Sequence, residues 1–376
     1  MNAGSELMLD ATELVALRES IADVLRSECD SRAVHAWLDR ENDLGGAMWR
    51  QAAELGWLGL SLPEADGGLG VGTRGLQILN CGLGAHATPG GFIPTLCAAQ
   101  WLANVADADV RNATLELVVA GHADIAIPVE ITGTLLAISQ DNGTVSGSID
   151  VLGGVVEATG KTFAIVPVAG GWALVVADGT AARLDPIDTW DLTRNLFRLV
   201  CDKAPVVTLI ADPDGCAGGL LRSYIAVALA ADSLGGARAV ADKTVAYLKE
   251  RFQFERPLAT YQALRHRAAD MMIKIATQES LLEQAVQSLE TGSPDADMWA
   301  LLSKAGASEA FVFIASDCIQ LHGGVGHTWE YDPHIYIKRA RLNEALLGDN
   351  RTLRDVAAGL LDKALDEGRT TTELDS

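Results

Sequence analysis

The pattern of residues between Ile125 and Ile210 is typical of β-strands, whereas the chain on either side of it has the periodicity of helices. Short runs rich in Val, Ile and Thr alternate there with Gly, Asp and Asn. The breaks Asp141-Asn142-Gly143 and Ala169-Gly170-Gly171 are typical of hairpin turns. The sequence therefore predicts helices, then a β-domain, then helices again, with domains at residues 1–122, 123–215 and 216–376.

Helical periodicity brackets this β-domain on both sides. In the first domain Leu14, Leu17 and Ile21 recur at steps of three and four residues, which forms one apolar helix face. In the third domain the long helical segments are separated by Gly-containing breaks, and they lie at Leu220–Glu250, His266–Leu289, Met298–Cys318 and Arg339–Leu347.

Composition limits the classes of ligand and partner. Hydrophobic residues make up 49% of the 376 residues, which is enough for a sizeable core in two or three domains. The formal net charge of −21 argues against nucleic acid or an anionic membrane as the main partner, because both would repel the chain. An anionic ligand would therefore depend on locally placed Arg or Lys side chains.

The expected cellular compartment follows from three features that the sequence lacks. The six cysteines form no CxxC pair, and the first residues have neither the basic nor the apolar segment of a signal peptide. The longest apolar stretches are expected to be too short to span a bilayer. We expect a cytoplasmic protein with reduced thiols.

Two patterns that often accompany function are better explained by local structure. Residues 70–75, Gly-Val-Gly-Thr-Arg-Gly, match the dinucleotide pattern GxGxxG, but a helix and a turn precede them where that site needs a strand. Cys318 and His322 are spaced like neighbours on a helix, and the seven histidines form no HExxH pair. We therefore predict neither a Rossmann site nor a metal site.

The first informative segment is a helix end that carries cationic, polar and aromatic residues. Arg251 offers a fork of donors suited to a pyrophosphate, Gln253 is a neutral hydrogen-bonding group, and Phe254 presents a flat face. Pro257 then turns the chain into a new helix that contains His266. An ordinary solvated helix end would have a similar composition, so the chemistry of these residues leaves both interpretations open.

The second informative segment is rich in glycine and begins at Gln320. It reads Gln-Leu-His-Gly-Gly-Val-Gly-His-Thr-Trp-Glu-Tyr-Asp over residues 320–332, and Lys338-Arg339-Ala340 follows on the next helix. We expect Gly323, Gly324 and Gly326 to adopt φ values closed to other residues, which would let the backbone approach a ligand.

These two segments resemble the signatures of the acyl-CoA dehydrogenase family. The first is similar to R-x-Q-F-G-x-P-L followed by Q-x-x-x-H-x-x-A-D-M, with Glu255 in place of the glycine. The second is similar to Q-x-H-G-G-x-G-x-T-W-E-x-D followed by K-R-A, and residues 60–68 are similar to an L-P-E-x-x-G-G turn. The resemblance implies an α+β fold with an N-terminal helical domain, a middle β-domain and a C-terminal four-helix-bundle domain.

The family resemblance also implies the cofactor and the residues that bind it. In that family FAD lies at a dimer interface, and residues of both signatures reach the FAD held mainly by the neighbouring subunit. A carboxylate removes the α-proton of an acyl-CoA while the β-hydride goes to the flavin. Carried over by position, the cofactor-binding residues are Arg251, Gln253, Phe254, Gln320 and Gly324.

The catalytic carboxylate of the family is missing where the resemblance would place it. Leu347 stands in the position of the usual Glu, and Tyr224-Ile225-Ala226, where other members carry it, holds no carboxylate. Glu344 is a candidate for a relocated base, although a helical Glu is more often a solvated or ion-paired group. No catalytic residue is therefore assigned.

The β-domain departs from the family as well. The strand that carries T-E-P-x-x-G-S-D in family members reads Ala126-Ile127-Pro128-Val129-Glu130-Ile131-Thr132-Gly133 here. Val151 and Gly153 occupy the Trp and Thr places of the flavin-flanking W-I-T-N-G. The residues that would surround the flavin within the same subunit have thus changed. The residues that would reach the FAD of a neighbouring subunit are kept.

These departures favour a subunit of a heteromeric enzyme of lipid metabolism. The chain resembles the non-catalytic subunit of α2β2 acyl-CoA dehydrogenases of bacterial steroid degradation, whose partner would carry the catalytic Glu. Family analogy suggests electron-transferring flavoprotein as the electron acceptor. Two alternatives are a self-sufficient homo-oligomer with a relocated base and a structural or regulatory homologue without flavin.

Overall fold

The computed structural model describes residues 9–131, 133–139, 141, 143–154 and 160–369. The chain divides into two compact units. One takes the chain up to Leu79 together with Thr88–Ile225, and the other takes Asn80–Ala87 and the chain from Ala226 onward. The predicted order of helices, strands and helices is confirmed. Residues 80–87 of the first predicted domain belong to the second unit, whereas the rest of that domain and the second predicted domain fall in the first unit. The predicted turn residue Asn142 lies outside the described residues.

The first unit begins with helices whose starts are capped by acidic side chains. The Asp10 carboxylate accepts the N–H of Glu13, and Glu13 reaches back to the Asp10 N–H, which forms a capping box. Asp30 and Asp43 cap the next two helices by accepting the N–H of Ala33 and the N–H of Gly46. The helices are α1 Ala11–Glu28, α2 Ser31–Leu38, α3 Leu44–Glu54, α4 Gly72–Ala85 (its last six residues lie in the second unit), α5 Phe92–Val105 and α6 Ala108–Val119.

The turn between α3 and α4 depends on close backbone packing. A Cβ atom on Gly68 would lie 2.2 Å from the carbonyl oxygen of Leu62, so only glycine fits there. The element before the glycines at residues 70–75 is the 3₁₀ helix Glu64–Asp66 rather than a strand. This confirms that the GxGxxG match does not belong to a βαβ nucleotide site.

Within the described residues of the first unit, seven strands form a sheet in the order β2-β3-β1-β4-β5-β7-β6. Because β3 also pairs with β7, five of these strands close into a ring that has no free edge. The ring encloses small and β-branched side chains such as Val151, Val166 and Val175. The strands are β1 Ala123–Pro128, β2 Ala137–Ile138, β3 Thr144–Leu152, β4 Lys161–Val168, β5 Gly171–Val176, β6 Ala182–Ile187 and β7 Leu196–Ala211.

The second unit is built on long helices around a buried central one. All four predicted segments fall on helices, but the last one was predicted to reach Leu347 and its helix ends at Ala345. A further helix, α11, follows them, and its start is capped by Asp349. The central helix α9 buries Lys304, Phe311 and Cys318. The elements are α7 Cys216–Glu250 (its first ten residues lie in the first unit), β8 Phe252–Gln253, β9 Arg256–Pro257, α8 Gln262–Glu290, α9 Ala296–His322, α10 Pro333–Ala345 and α11 Asn350–Asp366.

The expectation that no apolar stretch could span a bilayer was wrong by length and composition. Two segments, Cys216–Glu250 and Ala296–His327, are long and apolar enough to do so. Most of each apolar window is nevertheless buried inside the protein. Their apolar character is therefore accounted for by core packing.

A buried ion pair joins α7 to α10 in the second unit. Asp232 and Arg339 are 0% and 2% exposed, and the guanidinium donates to both carboxylate oxygens at 2.6–3.2 Å. Asn343 donates to the same carboxylate at 2.8 Å and to the Ser233 hydroxyl at 2.9 Å. All of these groups are hydrogen-bonded, as a buried charge pair requires.

Breaking this pair should destabilise the protein strongly. Asp232→Asn keeps the volume but leaves the Arg339 charge buried without its counter-ion, so we expect a loss of about 3–5 kcal/mol of unfolding free energy. The matched control is Arg238→Leu on the same helix, whose exposed pair with Glu279 is worth at most about 1 kcal/mol. Urea unfolding measures both, and equal losses would contradict the central role of the pair.

Candidate functional site

The first sequence segment forms the end of α7 and a tight hairpin. The N–H of Arg251 donates to the Tyr247 carbonyl at 2.9 Å and closes the last helical turn. Strands β8 and β9 follow, and the two residues that join them, Phe254 and Glu255, have φ of +50° and +66°. Turns of this kind favour glycine, so the family glycine that Glu255 replaces would fit this backbone without strain.

The predicted cofactor residues of this hairpin point outward. Arg251, Gln253 and Phe254 are exposed, and Phe254 is 87% exposed. The backbone behind them is held, because the Tyr261 hydroxyl donates to the Gln253 carbonyl at 3.2 Å. Arg256 lies over the Tyr261 ring at 3.9 Å, whereas the Arg251 guanidinium has no hydrogen bond or ion pair with any described residue. Arg251 is thus the cation of this hairpin that remains available to an anion.

The second sequence segment begins where α9 ends. Gln320 is exposed, and its carbonyl accepts the N–H of Gly323. Gly323 has a φ of +66°, as expected. The expectation was wrong for the other two glycines, whose φ values are negative or extended. A Cβ on Gly326 would lie 2.6 Å from the Ile319 carbonyl, so that glycine is needed for packing, whereas Gly324 faces open space.

Aromatic side chains bring the two segments together. The rings of Tyr247 and His322 stack with centroids 4.4 Å apart, and Tyr331 meets both rings edge-on at 6.1 and 5.9 Å. His322 Nδ1 lies 2.8 Å from the Cys318 carbonyl, so this nitrogen carries the proton and donates it. Burial lowers the pKa of His322, which keeps the ring neutral.

The position expected to hold the catalytic base is an apolar, packed turn. Leu347 is 7% exposed and has a φ of +69°, which is unusual for a leucine. Lys304, fully buried on α9, donates to the carbonyls of Glu344 and Gly348 at 3.0 and 2.9 Å and so spans the turn. Burial lowers the pKa of Lys304 from its ordinary 10.5 to about 7.

The alternative base, Glu344, is engaged in a local ion pair. Its carboxylate accepts from Arg341 at 2.9 Å on the same helix, and its side chain is about one-third exposed (31%). Tyr224, Ile225 and Ala226 are buried in α7 and present no carboxylate. Within the part of the chain that the structure describes, no group of three or more His, Cys, Asp or Glu could hold a metal ion.

The two altered regions of the β-domain lie side by side in the first unit. Pro128 pairs with Val151 across β1 and β3, and a Cβ on Gly153 would lie 2.7 Å from Ala126. Val151 itself is fully buried in the ring of strands. Val151 and Gly153 are therefore small or apolar residues packed in the interior where the family carries Trp and Thr.

Sequence reasoning missed Lys304 and the aromatic contact of Tyr247. The sequence did contain a signal for Lys304, because a lysine in an otherwise apolar helix is unusual unless its amino group has buried partners. Tyr247 and His322 are far apart in sequence, and nothing in their local patterns indicates that their rings stack.

This fold and these motifs define an acyl-CoA dehydrogenase, and comparison with known proteins agrees. Residues 11–122 match the family model "Acyl-CoA dehydrogenase, N-terminal domain", and residues 224–361 match "Acyl-CoA dehydrogenase, C-terminal domain". The chain belongs to the acyl-CoA dehydrogenase family, a family of oxidoreductases whose members bind FAD.

Among its relatives, the chain is similar to acyl-CoA dehydrogenase IpdE2 of Mycolicibacterium smegmatis. The two are 30% identical over 89% of this chain and 94% of the relative. A variant of the Tcur3481-Tcur3483 steroid ACAD is 27% identical with a TM-score of 0.85, covering 94% of this chain and 99% of that one. The ChsE4-ChsE5 complex from Mycobacterium tuberculosis has the same fold, with a TM-score of 0.82 at 20% identity over 94% and 98% of the two chains.

The buried Lys304 should make stability rise with pH. Between pH 7 and about 8.5 the folded lysine is losing its proton while the unfolded lysine keeps it, so the unfolding equilibrium constant should fall by up to about tenfold per pH unit. The window ends near the ordinary thiol pKa of about 8.5. Burial raises the pKa of Cys201 to about 11 and that of Cys318 to about 12. Above a pH of about 8.5 the unfolded chain therefore loses thiol protons that the folded chain keeps, and stability falls again.

Denaturant unfolding at the two ends of this pH window tests the prediction. Lys304→Met cannot titrate, so its unfolding free energy should change less with pH than that of the wild type. The same pH dependence in both proteins would show that Lys304 keeps an ordinary pKa in the folded state.

Proposed function

We propose that this chain is the subunit without the catalytic carboxylate in a heteromeric acyl-CoA dehydrogenase, where it completes the FAD site of a related chain. The observation that carries the proposal is an asymmetry between the two halves of the site. The base position is filled by buried Leu347, whereas Arg251, Gln253 and Phe254 project from a held hairpin.

The exposed half fits FAD in its chemistry. The Arg251 guanidinium can donate two parallel N–H groups to a pyrophosphate, and it forms no ion pair with any described residue that would compete for them. Gln253 can donate and accept, and Phe254 offers an exposed ring face. Open space at Gly324 lets a ligand come close to the backbone.

The altered half does not fit a complete active site. Leu347 cannot take a proton, and Glu344 is paired with Arg341. Small or apolar residues, Ala126, Val151 and Gly153, replace the groups that hold the thioester and flank the flavin in family members. The related chain would therefore supply the carboxylate and these contacts.

In this assembly the chain acts by binding and orientation. FAD, when bound, accepts the hydride that leaves the β-carbon of the acyl-CoA. Arg251 would neutralise phosphate charge, and Gln253, Gln320 and the backbone at Gly324 would fix the orientation of the cofactor. Such positioning contributes to the rate because the reacting atoms must already be aligned.

The relatives support a heteromeric enzyme of steroid degradation. One similar structure is that of a steroid ACAD, and another is that of the ChsE4-ChsE5 complex. We therefore favour an acyl-CoA derived from a steroid as substrate, a related chain that carries Glu as partner, and electron-transferring flavoprotein as acceptor. We assign the complex to the cytoplasm.

Flavin stoichiometry tests this proposal. The chain expressed alone should be largely free of flavin and inactive on acyl-CoA with an artificial electron acceptor. Co-expressed with a Glu-bearing acyl-CoA dehydrogenase chain of the same genome, it should form a complex with one FAD per pair of chains. A yellow homo-oligomer with one FAD per chain that oxidises acyl-CoA would refute the proposal.

Arg251→Ala tests the role of the exposed cation in that complex. Loss of a charge-assisted contact should weaken FAD binding by about tenfold to a hundredfold, or about 1.5–3 kcal/mol. Arg265→Ala, which removes an equally exposed charge from α8, is the matched control and should leave binding unchanged. FAD release is followed by fluorescence after dilution, and equal effects of the two variants would place Arg251 outside the site.

A further inference from the structure

We propose that Tyr247 is the positioning residue that holds the glycine-rich loop against the end of α7. It would thereby set the distance between Arg251 and Gly324. This inference rests on the proposed function of that site, and it adds a residue that does not itself touch the cofactor. Its basis is a set of contacts that run from α7 to both ends of residues 323–332.

Two successive turns of α7 contact the far end of this loop. Lys243 forms an ion pair with Asp332, and Tyr247, four residues later on the same helix face, meets the Tyr331 ring edge-on at 6.1 Å. Lys243 is also 5.4 Å from the ring centroid of Tyr336 on α10. The loop is thus anchored where it enters α10.

The near end of the loop is anchored by the same tyrosine. The Tyr247 ring stacks on His322 at an interplanar angle of 18°, and its hydroxyl donates to the His322 carbonyl at 3.4 Å. His322 directly precedes Gly323, where the chain turns through a positive φ. Tyr247 therefore contacts the residue before the loop and a residue at its end.

Tyr247 is also hydrogen-bonded through its backbone to Arg251, the cation that we propose binds the cofactor. Its carbonyl accepts the N–H of Arg251, which follows one helical turn later, and the Arg251 carbonyl accepts the N–H of Leu258 beyond the hairpin. One side chain therefore links the hairpin that presents Arg251 to the loop that presents Gly324. The stack is formed by a neutral His322, so it requires no counter-ion.

Hydrogen exchange on the chain alone tests this link without flavin. Tyr247→Leu removes the ring and the hydroxyl, and amide exchange should become about tenfold faster in residues 252–258 and in residues 323–328 together. Tyr247→Phe keeps the stack and should exchange like the wild type. Trp299→Leu, which changes a half-buried aromatic ring near the start of α9, far along that helix from His322, is the matched control and should leave both segments unchanged.

The co-expressed complex provides the second readout. There Tyr247→Leu should raise the FAD dissociation constant about tenfold, and Tyr247→Phe should not. Unchanged exchange in residues 323–328 of Tyr247→Leu, or a similar change in Trp299→Leu, would overturn the positioning role. Faster exchange with unaltered FAD affinity would also overturn it while leaving the proposed function standing. A complex without FAD would refute the proposed function alone. The contact between Tyr247 and the loop would still be tested by hydrogen exchange in the chain expressed alone.

Discussion

The second unit depends on the buried ion pair between Asp232 and Arg339. Removing two charges from water is unfavourable unless each remaining hydrogen-bonding position is satisfied, and here Asn343 and Ser233 complete the group. The pair fixes α10 against α7. The glycine-rich loop precedes α10 and the turn at Leu347 follows it, so both adjoin a helix that this contact holds in place.

The loop and the turn on either side of α10 have different physical character. Before the helix, the loop is exposed at Gly324 and held by aromatic stacking, which leaves backbone and space for a ligand. After the helix, Leu347 is buried and Lys304 occupies the carbonyls around it. A carboxylate in place of Leu347 would be desolvated and would tend to keep its proton, so a single exchange would not restore a base. This contrast supports our proposal that the chain binds and orients FAD rather than abstracting a proton.

Much of the fold could be predicted from the sequence because it is encoded locally. The change from helical to strand patterning near Ala123 and back near Cys216 follows from periodicity. The bounds of α7, α8 and α9 were predicted to within about four residues, whereas α10 starts six residues before its predicted start and α11 was not predicted as a separate helix. The closed ring of strands was not predictable, since the pairing of β3 with β7 joins residues far apart in sequence. The apolar stretches were expected to be too short for a membrane span, but those of α7 and α9 are long enough, and their burial in the protein accounts for their apolar character.

For the candidate site, the sequence alone determined the residue types and the order of the two cofactor signatures, and it determined that Leu347 has no proton-accepting group. Tertiary structure decided which of these residues face outward, that Gly326 serves packing while Gly324 stays open, and that Tyr247 meets His322. The physical reason is that chemical identity and helical period belong to neighbouring residues. Exposure, stacking and the pKa of a buried lysine arise only when distant segments exclude water from one another.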